Sequence, residues 1–173
     1  IAEKAHFLPV SITDTEIYKN ELGAKQIDLL PVFLPWNEET THNGKGSFCL
    51  YHGNLSVNEN EKAAEWLLTK VFNDIDIPLV IAGKNPSEHL EKLAHTNKNT
   101  CLVSNPGEKE LQDLIKKAQV NILPSFNNTG VKLKLLNALY NGRYCLVNAA
   151  AMDGTALNNL CEVAETAEDF KTM

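Results

Sequence analysis

The segment NILPSFNNTGVKLKLLNALYNG, residues 121–142, decides the fold of this chain. An apolar run at its start, Val120 to Leu123, has the length of a buried strand. Residues 125–129 then have the composition of a polar turn. From Val131 onward apolar residues recur at helical spacing, and Gly142 stands where helices commonly end. Parallel α/β sheets bind ligands between such a strand end and helix N-terminus, so this stretch is the best candidate site.

Strands and helices alternate on both sides of this segment. Apolar runs predict further strands at 47–52, 78–82, 100–103, 144–148 and 160–164. Helical spacing predicts helices from about Ser56, Asn85, Glu108 and Ala167, with a looser loop-helix over 149–158. Single helices between strands, with no hairpin signals, predict an α/β fold with a doubly wound, mostly parallel sheet.

Three polar clusters carry the signature of helix starts. Thr13–Glu16 and Ser56–Glu59 fit capping boxes, and Asn85 precedes a proline at the first helical position. The capping role of Ser56 is favoured over ligand binding. For Asn54, just before it, a structural role and a ligand-binding role remain equally open.

The first 46 residues differ in pattern from the rest. The apolar run 27–32 leads into an extended, proline-broken connector, and the polar segment 38–46 contains an Asn-Gly turn signal. We therefore interpret residues 1–46 as the remnant of an N-terminal domain with its connector. Residues 47–173 are interpreted as a second domain that is truncated at its C-terminus, in a chain cut from a longer protein.

Composition narrows the class of protein. The net charge of −6 argues against nucleic acid or an anionic membrane surface as the main partner. The cysteines are scattered through apolar runs, without metal-like spacing, and are predicted to be buried and reduced: Cys49, Cys101, Cys145 and Cys161. No apolar run is long enough to cross a bilayer and no signal peptide is visible. We expect a cytoplasmic location, which for a longer protein includes the inner face of the membrane.

Two features suit a phosphate ligand. Gly53 lies between a predicted strand and a helix, although the spaced glycines of dinucleotide-binding sites are absent. Lys132 and Lys134 lie near the start of the central helix, roughly 200° apart around its axis. They are either solvated edge lysines or anion ligands, since an anion would offset the helix dipole there. His52, at a strand end, is interpreted as a packed histidine rather than a catalytic one, and no metal set emerges.

Four segments occur in the order seen in group 1 glycosyltransferases: Tyr51–Ser56, Leu79–Gly83, Ala118–Ser125 and Thr129–Gly142. From Ser47 to its end, the chain resembles the C-terminal, donor-binding half of their two-domain GT-B fold. The resemblance implies retaining transfer of a sugar from a nucleotide-sugar donor to a hydroxyl acceptor in glycan or polysaccharide synthesis. It implies no cofactor and no obligatory metal.

The resemblance also implies where the donor lies. The diphosphate would contact the Gly53 turn and the start of the helix after Gly130, near Lys134. The base and ribose would lie near Gly83 and the helix face that carries Asn137. The donor-binding residues implied in this way are Gly53, Asn54, Gly83, Lys84, Ser125, Thr129, Gly130, Lys132, Lys134 and Asn137.

The chain departs from the family at three of these positions. Thr129 and Asn137 stand in place of two glutamates eight positions apart, and Asn54 stands in place of an arginine. These changes favour a catalytically silent binding or scaffold module, whereas the lysine pair and Gly130 favour an enzyme, which we prefer. A nicotinamide-dependent enzyme is a weaker alternative. Without a facing domain to hold a glycan or lipid-linked acceptor, we expect this chain alone not to turn over.

Overall fold

The computed structural model describes residues 4–36, 43–128, 130–155, 157 and 159–173. The strands are β1 (His6–Phe7), β2 (Gln26–Ile27), β3 (Cys49–Asn54), β4 (Leu79–Lys84), β5 (Thr100–Ser104), β6 (Val120–Ile122), β7 (Tyr144–Val147) and β8 (Glu162–Val163). The helices are α1 (Ile12–Asn20), α2 (Asn58–Trp66, continued by a π-helical segment, Leu67–Val71), α3 (Glu88–Thr96), α4 (Glu108–Lys117), α5 (Leu133–Asn141), α6 (Ala149–Met152) and α7 (Ala167–Thr172).

Six strands form one parallel sheet in the order β5-β4-β3-β6-β7-β8. The predicted α/β class and doubly wound parallel sheet are confirmed. The chain runs outward from β3 in one direction and from β6 in the other, so the switch point lies between these two strands. Ligands of such sheets bind outside the carboxyl ends of the strands at the switch point. β1 and β2 form a separate two-stranded parallel sheet.

The sheet is buried on both faces. Neighbouring residues of a strand point to opposite faces, and both Leu50 and Tyr51 of β3 have no exposed surface. Tyr51 belongs to the larger core, which α2 and its π-helical continuation cover, and Leu50 belongs to a smaller core beneath α4. Burial on both sides explains the continuous apolar runs in the sequence.

Two predicted helix starts are displaced by two residues. The hydroxyl of Ser11, not that of Thr13, caps α1 by accepting a hydrogen bond from the third helical residue at 3.0 Å. Likewise Ser87, not Asn85, caps α3. Asn85 has a φ of 50° and lies in the preceding turn. In both cases two polar residues within one turn could serve as caps, and the spacing alone did not distinguish them.

The elements that border the switch point also differ from prediction. The turn predicted at 53–55 begins later, because β3 continues through Gly53 and Asn54, which pair with the last two residues of β4. The central helix begins at Leu133 rather than Val131, and Lys132 is its N-cap residue. Its predicted end is confirmed, since the N–H of Gly142 closes the last turn.

The prediction that all four cysteines are buried is wrong for Cys101, which is exposed because β5 is an edge strand. Cys145 is buried, and all four thiols are free. The predicted boundary segment 38–46 and loop-helix 149–158 include residues outside those described, and the domain division stays a prediction. In the described part of the chain, no helix is long and apolar enough to span a membrane.

Candidate functional site

A cavity of about 440 Å³ lies at the carboxyl ends of β3 and β4, beside the start of α5. Six of the ten predicted donor-binding residues line it: Gly53, Asn54, Gly83, Lys84, Lys134 and Asn137. Five further residues complete its wall: Trp36, His52, Pro106, Leu111 and Leu133. Its position at the topological switch point makes it the candidate site. A larger cavity of about 510 Å³, beside Thr13 and Asp153, lies away from these strand ends.

Close packing of two strand ends forms the cavity floor. A Cβ atom on Gly83 would lie 2.1 Å from the carbonyl oxygen of Gly53 and 2.7 Å from Cγ of Leu55. Only glycine fits at position 83, so strand packing is a sufficient explanation for it. A Cβ atom on Gly53 would press on the Asn60 side chain at 3.3 Å.

Lys134 reaches from the first turn of α5 to residues of β3 and α2. Its Nζ donates to Oδ1 of Asn60 at 3.0 Å and to the hydroxyl of Tyr51 at 3.2 Å. The same Nζ lies 4.7 Å from the centre of the Tyr51 ring, a cation–π distance. The Tyr51 hydroxyl in turn donates to the carbonyl of Asn60 at 2.9 Å. The three residues therefore hold the ammonium group in one position.

The electrostatic surroundings of Lys134 are unusual for a lysine. Burial, and secondarily the charge of Lys132, lower its pKa to about 8, so the group is still mainly protonated at pH 7. Among the described residues, no carboxylate forms an ion pair with it. Buried charges are normally paired. This cavity therefore contains a partly buried, desolvated cation, and the described chain supplies no acidic counter-charge for it.

Lys132 lies in a different environment, as its angular separation from Lys134 predicted. Its Nζ donates to the carbonyl of Gly130 at 3.2 Å, and it does not line the cavity. Burial lowers its pKa, while the charge of Asp153 partly opposes that effect. Lys134 therefore lies in the cavity wall, and Lys132 lies outside it.

His52 is a packed histidine, in agreement with its interpretation from sequence. It is 3% exposed, and burial together with the charge of Lys134 lowers its pKa to about 3. The ring is therefore neutral near pH 7. Its Nε2 has no hydrogen-bond partner in the part of the chain that the structure describes.

Three predicted residues do not reach the cavity wall. Ser125 is anchored by its backbone, whose N–H and carbonyl both bond to the Asn148 side chain, at 2.9 and 2.8 Å. Gly130 lies in the loop before α5 with a φ of +68°, a conformation that favours glycine. Lys132 is the third. Thr129 falls outside the described residues.

Two asparagines in the cavity wall have structural partners as well. Oδ1 of Asn54 accepts from both the N–H and the hydroxyl of Ser56, at 3.2 and 2.8 Å. Ser56 therefore holds this turn and does not cap α2, whose N-cap residue is Val57. Oδ1 of Asn137 accepts from the Asn141 side chain at 2.8 Å. The structure thus assigns Asn54 a structural role without testing its role toward a ligand.

Sequence reasoning missed Tyr51, Asn60 and Trp36 as parts of this site. Tyr51 belongs to an apolar strand run and Asn60 to the first turn of a helix, so core packing and solvation explained both. Trp36 belongs to the connector, outside the predicted domain. In the described residues no cluster of acidic, histidine or cysteine side chains is arranged to hold a metal. The absence of an obligatory metal stays a prediction.

The sheet order and the switch-point cavity define a Rossmann-like α/β domain. Residues 46–170 match the model of the family described as Glycosyl transferases group 1, well over half of the chain. The chain belongs to this family. The predicted family resemblance is confirmed, and the nicotinamide-dependent alternative is set aside.

One curated relative is an uncharacterized 44.6 kDa protein in the cps region of Klebsiella pneumoniae, 33% identical over 160 residues. The match covers 86% of this chain and 40% of that protein, so the chain spans less than half of its relative.

Solved structures show the same fold. A variant of S. aureus TarM has a TM-score of 0.71 at 11% identity, over 96% of this chain and 36% of that one. A glycosyltransferase from Rickettsia africae has a TM-score of 0.66 at 10% identity, and the match covers 97% of this chain and 52% of that one. The predicted GT-B, Rossmann-like architecture is confirmed. Family membership favours a transferase and lends no support to the scaffold alternative.

Proposed function

We propose that this chain is the nucleotide-sugar-binding part of a glycosyltransferase that moves a sugar from a nucleoside diphosphate to a hydroxyl acceptor. The observation that carries the proposal is Lys134. This lysine is partly buried, largely protonated and held by Tyr51 and Asn60, yet it has no acidic partner among the described residues. A diphosphate group would supply the missing negative charge.

The start of α5 adds to the same electrostatic field. The helix carries no acidic residue in its first turn, and its N-cap residue, Lys132, makes no side-chain capping bond. The positive end of the helix dipole therefore lies at this end of the cavity. Such a helix start, together with a fixed cation, stabilises the charge that develops on a departing diphosphate. This is the role that a metal ion would otherwise serve, and we propose that none is obligatory.

The remaining predicted residues fit a donor in this orientation. Gly53 and Gly83 line the cavity at the strand ends, and Lys84 is an exposed cation beside them. Asn137 lies on the wall next to Lys134, where an amide can hydrogen-bond a ribose hydroxyl. Ser125, Thr129, Gly130 and Lys132 would act through the loop before α5, which ends at this site.

The relatives suggest the biological setting. The Klebsiella protein belongs to a cps region, and the S. aureus TarM variant was solved with UDP and with alpha-GlcNAc-glycerol. On this basis we propose that the donor is a nucleotide sugar and that the acceptor is a glycan or lipid-linked hydroxyl in polysaccharide synthesis. We also propose that the acceptor binds through a facing domain of a longer protein, at a cytoplasmic location.

Calorimetric titration of the chain with UDP and with GDP tests this function. We expect saturable binding of at least one nucleotide, weakened roughly 10- to 100-fold by Lys134→Ala, because charge-assisted hydrogen bonds are worth about 1.5–3 kcal/mol. The matched control is Lys62→Ala, an exposed lysine of α2 outside the cavity wall. Unchanged affinity in Lys134→Ala, or no binding to a chain shown to be folded, would contradict the proposal.

A further inference from the structure

Four side chains of the cavity wall are apolar, and we call them together its apolar end: Trp36, Pro106, Leu111 and Leu133. Leu133 is 58% exposed, although it belongs to α5, whose other leucines are mostly covered. Trp36 is only partly buried. Large apolar side chains that remain open around a cavity indicate surface for a ligand rather than for the core.

Trp36 lies along one face of α5. Its ring centre is 6.0 Å from that of Tyr140, with 35° between the ring planes. Leu133, Asn137 and Tyr140 follow one another at helical positions i, i+4 and i+7, so they share a face of the helix. Trp36 contacts this face at Tyr140, and Asn137 and Leu133 of the same face line the cavity together with Trp36. The connector therefore contributes an aromatic wall to a site that otherwise belongs to the sheet.

The apolar and cationic ends belong to one cavity. Lys134 follows Leu133 directly and points about 100° away around the helix axis, toward Tyr51 and Asn60. The volume of about 440 Å³ suits one small organic ligand. A ligand that fills both ends has an anionic group at Lys134 and a flat apolar group at Trp36.

We propose that Trp36 stacks on the base of the nucleotide donor, with Leu133 and Pro106 as its apolar neighbours. This inference rests on the proposed function, because it assumes a nucleoside diphosphate whose phosphates lie at Lys134. Stacking on an aromatic side chain favours any base, since every base has a π-face. Trp36 therefore contributes affinity for the base and does not select among bases. The connector becomes part of the donor site.

A simpler role for Trp36 is to anchor the connector on Tyr140. The two roles differ in what they predict. An anchor changes the stability of the chain and affects every ligand alike. A stacking partner affects ligands that carry a base and leaves pyrophosphate binding unchanged, because pyrophosphate contains only the anionic part.

Fluorescence can report on Trp36 alone. The chain has two tryptophans, and Trp66 packs edge-on between Phe126 and Phe170, outside the cavity wall. In Trp66→Phe, we expect UDP to change the emission of Trp36 saturably, with the same Kd as calorimetry. Pyrophosphate should bind without that change. The matched control, Trp36→Phe, retains Trp66 and should give no signal with UDP.

Affinity provides the second readout. We expect Trp36→Ala to weaken UDP binding roughly 5- to 150-fold, the range measured for loss of one base-stacking side chain. Trp36→Phe should restore much of that affinity, because it keeps an aromatic face. Pyrophosphate affinity should stay the same in all three proteins.

The outcomes separate this inference from the proposed function. If UDP binds and Trp36→Ala binds it equally well, the base subsite is wrong and the diphosphate site stands. If Trp36→Ala weakens pyrophosphate as much as UDP, Trp36 is an anchor and the subsite is again wrong. If none of UDP, GDP and pyrophosphate binds to the folded chain, both proposals fail together.

Discussion

At one end of the cavity Lys134, Tyr51 and Asn60 hold one another in place, whereas at the other end Leu133 is mainly exposed and Trp36 is partly exposed. The cationic end is preorganised, because its hydrogen bonds join residues of the chain itself. The apolar end includes Leu133, whose side chain contributes little to the core. The two ends therefore relate differently to folding.

The two ends contribute differently to the stability of the fold and to ligand binding. A buried cation without an acidic partner lowers the stability of the fold, and an arriving anion removes that cost. Exposed apolar side chains have little effect on stability, and they gain contacts only when a ligand covers them. Mutations at the cationic end should change stability and binding in opposite directions. Mutations at the apolar end should change binding alone.

The largest effect is expected for Lys134→Met. A methionine of similar length removes the desolvated charge, so the free energy of unfolding at pH 7 should rise by roughly 1–3 kcal/mol, while UDP binding weakens roughly 10- to 100-fold as in Lys134→Ala. Urea denaturation measures the stability, and Lys62→Met is the exposed control, expected to stay within about 0.5 kcal/mol.

The pH dependence of stability tests the physical cause of this effect. Lys134 has a pKa of about 8 in the folded chain and near 10.5 when unfolded. Between these values the unfolded chain binds more protons, so the Lys134 contribution to stability rises with pH. The advantage of Lys134→Met should therefore shrink from pH 8 to 10.5. A variant less stable than the wild type at pH 7 would show that the contacts to Tyr51 and Asn60 outweigh the desolvation of the charge.

A smaller effect is expected for the pH dependence of UDP affinity in the unaltered chain. Only protonated Lys134 attracts the diphosphate, so UDP affinity should be constant below about pH 7 to 8 and fall above it. The expected loss is about tenfold between pH 7 and 9, in proportion to the protonated fraction. The diphosphate of UDP is largely in its fully ionised form from pH 7 to 9, because terminal phosphates lose their second proton near pH 6.

Calorimetry at four pH values measures this decline. Lys134→Ala should bind weakly with little pH dependence, whereas Lys132→Ala should keep the decline and shift it to higher pH, because the charge of Lys132 helps to lower the pKa of Lys134. His52 cannot cause the decline in UDP affinity, since its pKa of about 3 lies far below pH 7 to 9. A slope that persists in Lys134→Ala would assign the titration to another group.

The smallest effect is expected for Leu133→Ala at the apolar end. Truncating a side chain that is 58% exposed should change the free energy of unfolding by less than about 0.5 kcal/mol. UDP affinity should fall by about two- to fivefold, because part of one apolar contact is lost, and pyrophosphate affinity should not change. Calorimetry with both ligands checks this. Loss of pyrophosphate affinity would remove the distinction between the two ends.

Local signals in the sequence were sufficient for the architecture. Continuous apolar runs followed by helical periodicity predict a parallel sheet, because the spacing of side chains along one element decides which faces can be buried. The helix from Leu133 to Asn141 and the final helix from Ala167 emerge from this pattern. Signals that depend on a single residue were weaker. Ser11 and Thr13 both suit a helix cap, and only the path of the chain decided between them.

The sequence alone is sufficient to predict the α/β class, the strand–loop–helix unit at the switch point and the presence of two lysines there. The packing of distant elements places Lys134 in the cavity wall and Lys132 outside it. Its partners, Tyr51 and Asn60, lie 83 and 74 residues away, and Trp36 comes from the connector. Periodicity reports which face of an element is apolar, but pKa values and cavity walls depend on contacts between elements, which sequence spacing does not specify.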